Sequence, residues 1–317
     1  MADVIAVAGE ALVDVVPAPA EGYFEFAPGG SPANVAVGLA RLDVRARMLA
    51  RLGTDLLGRR LRAHLTDNGV DLGNAVEATE PSSLAIVEVG ADGVADYDFR
   101  IDGTADWQWT PEELDGALDG VVALHSGSLA LTQEPGAGVL RELMAKAAAT
   151  ATVSYDPNAR PRLMGEAAQV LPGVHELLGI ADVVKVSDED LRWLLPDTPP
   201  GEILDDWLAR GPALVAITLG GDGVLAGTSE GLRTSTPGRA VSVVDTVGAG
   251  DSFSAALLAG LHRRGLLGAP ARAALRGITA LVLDELLEEC VTAASITCSR
   301  RGAQPPTSAD LAEALGR

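Results

Sequence analysis

The sequence predicts an α/β protein in which a mainly parallel β-sheet carries helices on both faces and a small β-sheet forms a lid. Three observations predict this fold. Short apolar runs of β composition recur along the 317 residues, segments of helical period separate several of them, and two segments instead alternate apolar and polar residues. Strands that alternate with helices are typical of βαβ units. No internal repeat or low-complexity linker divides the chain, so residues 1–317 are expected to form a single domain.

The short apolar runs predict β-strands. They are residues 4–8, 12–16, 84–89, 121–124, 151–155, 182–186 and 213–218. Leucines at every fourth position over residues 57–65 share one helix face, and Phe253, Leu257 and Leu261 do the same. The strands and helices therefore alternate, as a parallel sheet requires.

Two segments, about residues 12–30 and 83–106, break this alternation. Each has the period-two pattern of half-exposed strands, as in residues 85–89. We expect the two excursions to pair into a small sheet that projects as a lid. An unpaired apolar face on this lid would also permit a homodimer.

Composition and charge limit the partners and the compartment. The chain has 24 basic and 44 acidic residues, a formal net charge of -20, and such a surface repels nucleic acid. The first residues lack a basic leader and carry Asp3, Glu10 and Asp14, which favours a core strand over a signal peptide. Apolar runs stay below the roughly 18 residues of a membrane span, so no membrane partner is expected. Cys290 and Cys298 fit neither a disulfide framework nor a zinc site, which favours a cytoplasmic location.

The strongest chemical signal is the run over residues 243–253. We expect a β-rich run to enter a Gly/Ala turn that opens a helix, whose first N–H groups and dipole form an anion site. Gly248, Ala249 and Gly250 would let a phosphate approach the backbone, and Asp251 would accept a proton from an incoming hydroxyl. A plain tight turn with Asp251 as a helix cap is an equally open interpretation of the residues alone.

Two distant motifs resemble those of one family. Residues 245–251 (Asp-Thr-Val-Gly-Ala-Gly-Asp) are similar to the C-terminal signature of the ribokinase-like (PfkB) sugar kinases. Residues 29–36 (Gly-Gly-Ser-Pro-Ala-Asn-Val-Ala) resemble the N-terminal signature, and segments at 39–42, 53–58 and 68–71 follow in the family's order. Asp43 departs from the glycine that is usual there. The resemblance covers almost the whole chain and implies a ribokinase-like three-layer sandwich with a small β-sheet lid.

The resemblance implies the reaction centre. Asp251 matches the catalytic base, and Gly248, Ala249 and Gly250 match the anion hole for the transferring phosphoryl group. Phosphoryl transfer needs mostly positioning and charge stabilisation, so this set suffices once magnesium is supplied. Asp245 matches a position that helps to hold a monovalent cation, such as potassium, in many members. Tying down the turn is an equally open role for Asp245.

The resemblance also implies the sugar site. The positions that match sugar-binding residues are Asp14, Gly29, Gly30 and Asn34. Carboxylate and amide groups suit a polyol because they accept and donate several hydrogen bonds. Residues 156–160 resemble a segment of fructokinases and 2-keto-3-deoxygluconate kinases, in which Arg160 would pair with the moving phosphate or with an anionic substrate. A surface arginine after a turn is the alternative. Arg100 is a second cation that an acid substrate would use.

The nucleotide site is implied by two further segments. Residues 185–190 resemble a segment in which the family often has Asn and Glu, where this chain has Ser187 and Asp190. Lys185, Ser187 and Asp190 are therefore expected near the nucleotide, with Asp190 holding Mg²⁺ through water. Thr218, Gly220 and Gly223 resemble the strand and turn that contact ATP, and residues 300–303 resemble the loop around the adenine and the cation. ATP and Mg²⁺ are the implied cofactors, with K⁺ as a further candidate.

The chain lacks the sequence motifs of other nucleotide-binding folds. The only lysines are Lys146 and Lys185, and neither follows a glycine, so a Walker A loop is excluded. A dinucleotide-binding dehydrogenase would need spaced glycines after the first strand, where only Gly9 is present. The four histidines have no metal-ligand spacing.

Residues 9–14, 99–106 and 127–131 look most like bacterial fructokinases. This resemblance implies an ATP-dependent kinase that phosphorylates a hydroxyl of a ketohexose, fructose. A 2-keto-3-deoxygluconate kinase is the nearest alternative, although Asp98 near the lid arginine would repel an acid substrate. Aromatic residues make up only 3% of the chain, which disfavours a nucleoside kinase. A non-catalytic sugar sensor on the same fold is the alternative from another class, and the intact Asp251 motif argues against it.

Overall fold

A computed structural model of the protein describes residues 3–18, 20, 22–89 and 95–317. Its strands are β1 (Val4–Ala8), β2 (Leu12–Pro17), β3 (Phe24–Gly29), β4 (Ala46–Leu49), β5 (Arg51–Gly53), β6 (Val76–Ala78), β7 (Leu84–Val89), β8 (Ala95–Arg100), β9 (Val121–Gly127), β10 (Thr152–Asp156), β11 (Val183–Ser187), β12 (Leu214–Thr218), β13 (Val224–Thr228) and β14 (Arg233–Thr236). Its helices are α1 (Ser31–Arg41), α2 (Leu56–Asp67), α3 (Gly136–Ala147), α4 (Pro161–Met164), α5 (Ala167–Leu178), α6 (Asp188–Leu194), α7 (Pro200–Ala209), α8 (Ala249–Arg263), α9 (Arg272–Arg276), α10 (Ala280–Cys298) and α11 (Ser308–Ala314).

The main sheet has the order β14-β13-β12-β11-β10-β9-β1-β4 within the described residues. Neighbouring strands from β4 to β12 run parallel, and β13 and β14 add an antiparallel edge. The inner strands are buried along their whole length, as the burial of β1 and β10 shows. A parallel sheet is covered on both faces, which is why its strands read as continuous apolar runs in the sequence.

Helices cover both faces of this sheet. Side chains of β1 alternate between two cores: Ile5 and Val7 join the core that includes α1, α8 and α10, whereas Val4 and Ala6 join the core that includes α3, α5 and α7. This alternation follows from the period-two geometry of a strand. The predicted fold class, a three-layer α/β sandwich, is confirmed. In the described part of the chain, no helix combines the length and apolar character that crossing a membrane requires.

The lid is a separate sheet of order β3-β2-β7-β8. β2 pairs with β3 in antiparallel and with β7 in parallel orientation, so the two excursions do pair into one sheet, as predicted. Residues 19, 21 and 90–94 of these excursions lie outside the described residues. Asp14 on β2 lies opposite Ala27 on β3 and Ala85 on β7, and Ala85 lies opposite Phe99 on β8. Because residues opposite each other share a face, these four define one face of the lid.

One local prediction is wrong. The run before the glycine-rich motif is not a strand but an exposed loop, in which the side chains of Val243 and Val244 are 63% and 61% exposed. The backbone N–H groups of Val244 and Asp245 both donate to the carbonyl of Cys298, at the end of α10. The end of α10 therefore holds this loop. Its residues have β propensity, but no neighbouring strand among the described residues pairs with them, so they do not form a strand.

Candidate active site

The candidate site lies at the edge of the main sheet where the parallel strands end. Glu10 follows β1, Ser128 follows β9, and Asp156, Ser187 and Thr218 are the last residues of β10, β11 and β12. Ligands of open α/β sheets bind outside these carboxyl ends. The lid strand β2 follows β1 directly, so the lid carries its own polar residues over the same edge.

Asp251 is held at the start of α8 by two side chains of α1. Its Oδ1 accepts a hydrogen bond from Ser31 Oγ at 2.7 Å, and its Oδ2 accepts one from Asn34 Nδ2 at 2.8 Å. The residue is 8% exposed and occupies the third position of α8. Two fixed hydrogen bonds orient the carboxylate, and each oxygen keeps a lone pair for a further donor. This geometry suits a general base.

The glycines of the predicted anion hole are required for different packing reasons. Gly248 has a φ of 76°, and a Cβ there would lie 2.6 Å from the Cβ of Ala303. A Cβ on Gly250 would lie 2.8 Å from Lys185 Nζ, so Gly250 gives room to an ammonium group. The N–H of Ala249 donates to the carbonyl of Thr246 at 3.2 Å. The backbone donors available to a phosphate are therefore those of Gly250 and Asp251, which meet no backbone acceptor among the described residues.

Lys185 places a buried positive charge beside this helix start. The side chain is 6% exposed, and its Nζ donates to Asp156 Oδ2 at 3.0 Å. Burial lowers the pKa of Lys185, but the carboxylates of Asp156, Asp190 and Asp251 outweigh it and raise the pKa above its usual value. Lys185 thus stays charged within reach of an incoming phosphate.

Asp190 sits on the same side of the site as Lys185. Its Oδ1 accepts from the N–H of Ala159 at 2.9 Å, and burial together with Asp156 raises the pKa of its carboxyl. The carboxylates of Asp156, Asp190 and Asp251 outnumber the single ammonium of Lys185, so the net charge of this cluster is negative when they are ionised. Asp190 supplies a carboxylate oxygen, the kind of ligand that Mg²⁺, a hard cation that keeps several waters, would take.

Asp14, Gly29 and Gly30 line the lid side of the site. The pKa of Asp14 is raised to about 6, mainly by burial; the charge of Arg160 opposes the rise and that of Asp251 adds to it. These charges act on Asp14 because all three side chains surround one space. A Cβ on Gly29 would lie 2.2 Å from Asp14 Oδ2, and Gly30 has a φ of 99°. Both glycines are thus required where the lid strand turns into α1.

Arg160 is held in place by its own loop. Its Nη1 donates to the carbonyl of Asn158 at 3.1 Å, to Asn158 Oδ1 at 2.8 Å and to the carbonyl of Ala159 at 2.9 Å. Asn158 has a φ of 40°, which an asparagine tolerates better than most residues. Arg160 is therefore a positioned cation facing the acids of the sugar side, as its effect on Asp14 indicates.

Arg100 is not brought together with the other predicted residues. Its side chain is 65% exposed and lies 2.6 Å from the carboxylate of Asp98. Both residues alternate with Phe99 on β8, so they occupy the face of the lid opposite to Asp14. Asp98 therefore does not face the site and would not repel an acid substrate there.

The nucleotide-side residues are brought together by the register of two strands. Ser187 and Thr218 are paired neighbours at the ends of β11 and β12. Ser187 Oγ caps α6 by accepting from the N–H of Asp190 at 3.0 Å. Gly220 has a φ of 55° and faces open space, whereas a Cβ on Gly223 would lie 2.1 Å from the carbonyl oxygen of Thr236. Gly223 is thus required by the packing of the turn, and Gly220 leaves the surface open.

Asp245 fastens the loop before α8. Its Oδ1 accepts from the N–H of Val247 at 3.0 Å, and its Oδ2 accepts from the N–H of Gly302 at 2.8 Å. These contacts support the role of tying down the turn. Among the residues that the structure describes, no group of three or more His, Cys, Asp or Glu side chains is arranged to hold a metal ion. A role for Asp245 at a monovalent cation stays a prediction.

Glu10 is a site residue that the sequence analysis did not select. It is 2% exposed, and its carboxylate accepts from the Ser128 hydroxyl and from the N–H of Ala130 at 3.3 Å. The pKa of Glu10 is raised to about 7, mainly by burial and in small part by Asp106, whereas the hydrogen bond from Ser128 and the charge of Arg160 oppose the rise. Its position directly after a buried strand was the available signal, since that position faces the ligand edge of an α/β sheet.

The comparisons decide the family. The chain matches the model of the pfkB family of carbohydrate kinases over residues 2–310. It belongs to this family. A fructokinase of Rhizobium leguminosarum bv. trifolii is 34% identical over 262 residues, which cover 82% of this chain and 80% of that protein. The crystal structure of a fructokinase from Xylella fastidiosa with bound ATP is 27% identical, has a TM-score of 0.90 and covers 99% of this chain and 98% of its own.

A second similar solved structure carries a sugar. It is a fructokinase from Vibrio cholerae O395 in a form with bound fructose, ADP and calcium ion, with a TM-score of 0.84, 27% identity and 99% coverage of both chains. The predicted family and enzyme class, a carbohydrate kinase, are confirmed. The roles of individual residues, the cytoplasmic location and the homodimer stay predictions. Phe24 and Phe26, each about half exposed on β3, are the apolar lid surface that such a dimer would use.

Proposed function

We propose that this pfkB carbohydrate kinase transfers the γ-phosphoryl group of ATP to a hydroxyl of fructose. The observation that carries the proposal is the buried carboxylate of Asp251, which Ser31 and Asn34 orient at the first turn of α8. A sugar sensor has no use for a base fixed beside an anion site. The phosphoryl acceptor, the base and the anion-binding N–H groups would meet within this one helix turn.

The steps follow from the positions of the side chains. Asp251 takes the proton from the attacking hydroxyl. The N–H groups of Gly250 and Asp251, together with the dipole of α8, hold the oxygens of the moving phosphoryl group. Lys185 turns its ammonium from Asp156 toward these oxygens as negative charge develops there. When bound, Mg²⁺ would supply charge neutralisation of the phosphates, with Asp190 as the residue placed to hold it through water.

The sugar would lie between the lid and α1. Asp14 and Asn34 offer acceptors and donors to its hydroxyl groups, and Gly29 and Gly30 leave room for a close approach to the backbone. Arg160 would meet the phosphate once it has moved to the sugar, because a guanidinium binds phosphate oxygens in a bidentate manner.

The choice of fructose rests on similarity and on local charge. The relative from Rhizobium is a fructokinase and the neighbour from Vibrio binds fructose. On the sugar side Arg160 is opposed by the acids Asp14 and Glu10, so the site has no excess positive charge for an acid substrate. The exposed valines 243 and 244, next to the glycine-rich turn, offer an apolar surface for the base of the nucleotide.

The test is a coupled ADP-release assay with ATP and Mg²⁺ on fructose, 2-keto-3-deoxygluconate, ribose and adenosine. We expect turnover on fructose and a fall in kcat of about 10²- to 10⁴-fold in Asp251→Asn. Asp197→Asn, on an exposed loop, is the matched control and should keep wild-type activity. If the enzyme turned over 2-keto-3-deoxygluconate and not fructose, the acid sugar would be the substrate. Unchanged turnover in folded Asp251→Asn would remove the base assignment.

A further inference from the structure

Arg301 joins the loop after α10 to the lid. Its Nη2 lies 2.9 Å from Glu25 Oε2 on β3 and 3.4 Å from the carbonyl oxygen of Pro17 on β2. Glu25 alternates with Phe26 and therefore shares the lid face of Ala27 and Asp14. The contact thus links the lid to the loop after α10.

The same loop is tied to the start of α8. Gly302, the next residue, donates its N–H to Asp245 Oδ2 at 2.8 Å, and Asp245 Oδ1 holds the N–H of Val247 at 3.0 Å. Ala303 packs against Gly248, where no Cβ fits. A shift of the loop that carries Arg301 is therefore passed to the turn that precedes the N–H groups of Gly250 and Asp251.

The other end of β3 reaches the same helix turn by a second route. β3 ends at Gly29 and continues through Gly30 into α1, whose first residue, Ser31, donates to Asp251 at 2.7 Å. Both ends of this lid strand therefore connect to the first turn of α8. One end acts through Ser31 and the other through Glu25 and Arg301.

We propose that Arg301 is a positioning residue that couples closure of the lid over the sugar to the geometry of the phosphate-binding turn. With the ion pair made, sugar binding under the lid holds the 300–303 loop, and nucleotide binding at that loop holds the lid. Each ligand then binds more tightly to the protein that already holds the other ligand than to the free protein. This inference rests on the proposed function, because it assumes a sugar under the lid.

The ion pair sets the size of the effect. The side chains of Arg301 and Glu25 are 50% and 49% exposed, and solvent-exposed pairs of this kind are weak. We expect the coupling to change an affinity by about two- to fivefold. Salt should reduce the coupling, since charges that face water are screened at about 0.5 M ionic strength.

The experiment is isothermal titration of fructose into the full chain, with and without a non-hydrolysable ATP analogue and Mg²⁺. In the wild type, we expect the analogue to tighten fructose binding by about two- to fivefold. In Arg301→Met and in Glu25→Gln this ratio should fall close to one. The charge-swapped double variant, Glu25→Arg with Arg301→Glu, should restore the ratio. Arg210→Met, which removes an exposed pair with Asp206 on α7, is the matched control.

A wild-type ratio that persists in Arg301→Met would overturn the inference, and so would a double variant that behaves like the single ones. If fructose does not bind the wild type at all, the proposed function fails instead. The coupling is then decided by hydrogen exchange of residues 24–29, which the ATP analogue should slow in the wild type but not in Arg301→Met. Equal slowing in both proteins would count against a role for Arg301.

Discussion

Replacing the carboxyl of Glu10 by an amide should make the protein relatively more stable as the pH rises. Glu10→Gln keeps the size of the side chain and an oxygen for the N–H of Ala130. The amide also remains able to bond the Ser128 hydroxyl, since a hydroxyl both donates and accepts. What the substitution removes is a negative charge in a side chain that is 2% exposed.

The magnitude follows from the pKa. Burial raises the pKa of Glu10 from 4.5 to about 7, so ionisation of this group opposes folding. Below about pH 4.5 the carboxyl is neutral in both the folded and the unfolded protein, and its ionisation costs no stability. The unfolding free energy falls as the pH rises from there through about 7. Between about pH 5 and pH 8, the wild type should lose about 2 to 3 kcal/mol of unfolding free energy that Glu10→Gln does not lose. Burial also raises the pKa values of Asp14 and Asp106 to about 6. Their ionisation lowers the unfolding free energy of the wild type and of Glu10→Gln alike.

Urea unfolding at a series of pH values measures this difference. Glu230→Gln, in an exposed turn, is the control and should follow the wild type at every pH. A difference between Glu10→Gln and wild type that stays constant from about pH 5 to pH 8 would refute the reasoning. It would mean that Glu10 ionises in the folded protein as readily as in the unfolded chain.

Two further predictions concern the helix start of α8. Lys185→Met should destabilise the protein by about 3–5 kcal/mol, because it leaves the buried carboxylate of Asp156 without its partner. Adding Asp156→Asn should recover most of that stability in urea unfolding but not kcat; recovery of both would show that Lys185 does not act on the phosphate. Gly248→Ala should cost at least about 1–2 kcal/mol, since Gly248 has a φ of 76°. Gly221→Ala, where a Cβ meets open space, should stay within about 0.5 kcal/mol of wild type, and equal costs at the two glycines would contradict the packing argument.

Much of the architecture was present in local sequence patterns. Continuous apolar runs gave the parallel strands β1, β9, β10, β11 and β12 but not β4, because strands buried on both faces need no polar alternation. The period-two segments identified the lid for the opposite reason, since one face of that sheet meets the cleft or solvent. The residues around Asp251 were found through a short motif, in which glycines, a helix start and an acid follow one another directly along the chain.

The sequence by itself determined the fold class and the family, because both depend on periodicity and on motifs contiguous in the chain. Only the tertiary structure decided which side of a strand faces the site. It turned Arg100 and Asp98 away from the cleft, whereas it brought Glu10 into it. It also shows why residue 250 is a glycine: the ammonium of Lys185, 65 positions earlier in the chain, lies 2.8 Å from where a Cβ would be. Charge and packing at a site depend on neighbours that are distant in sequence, and a single chain read in order does not display those neighbours.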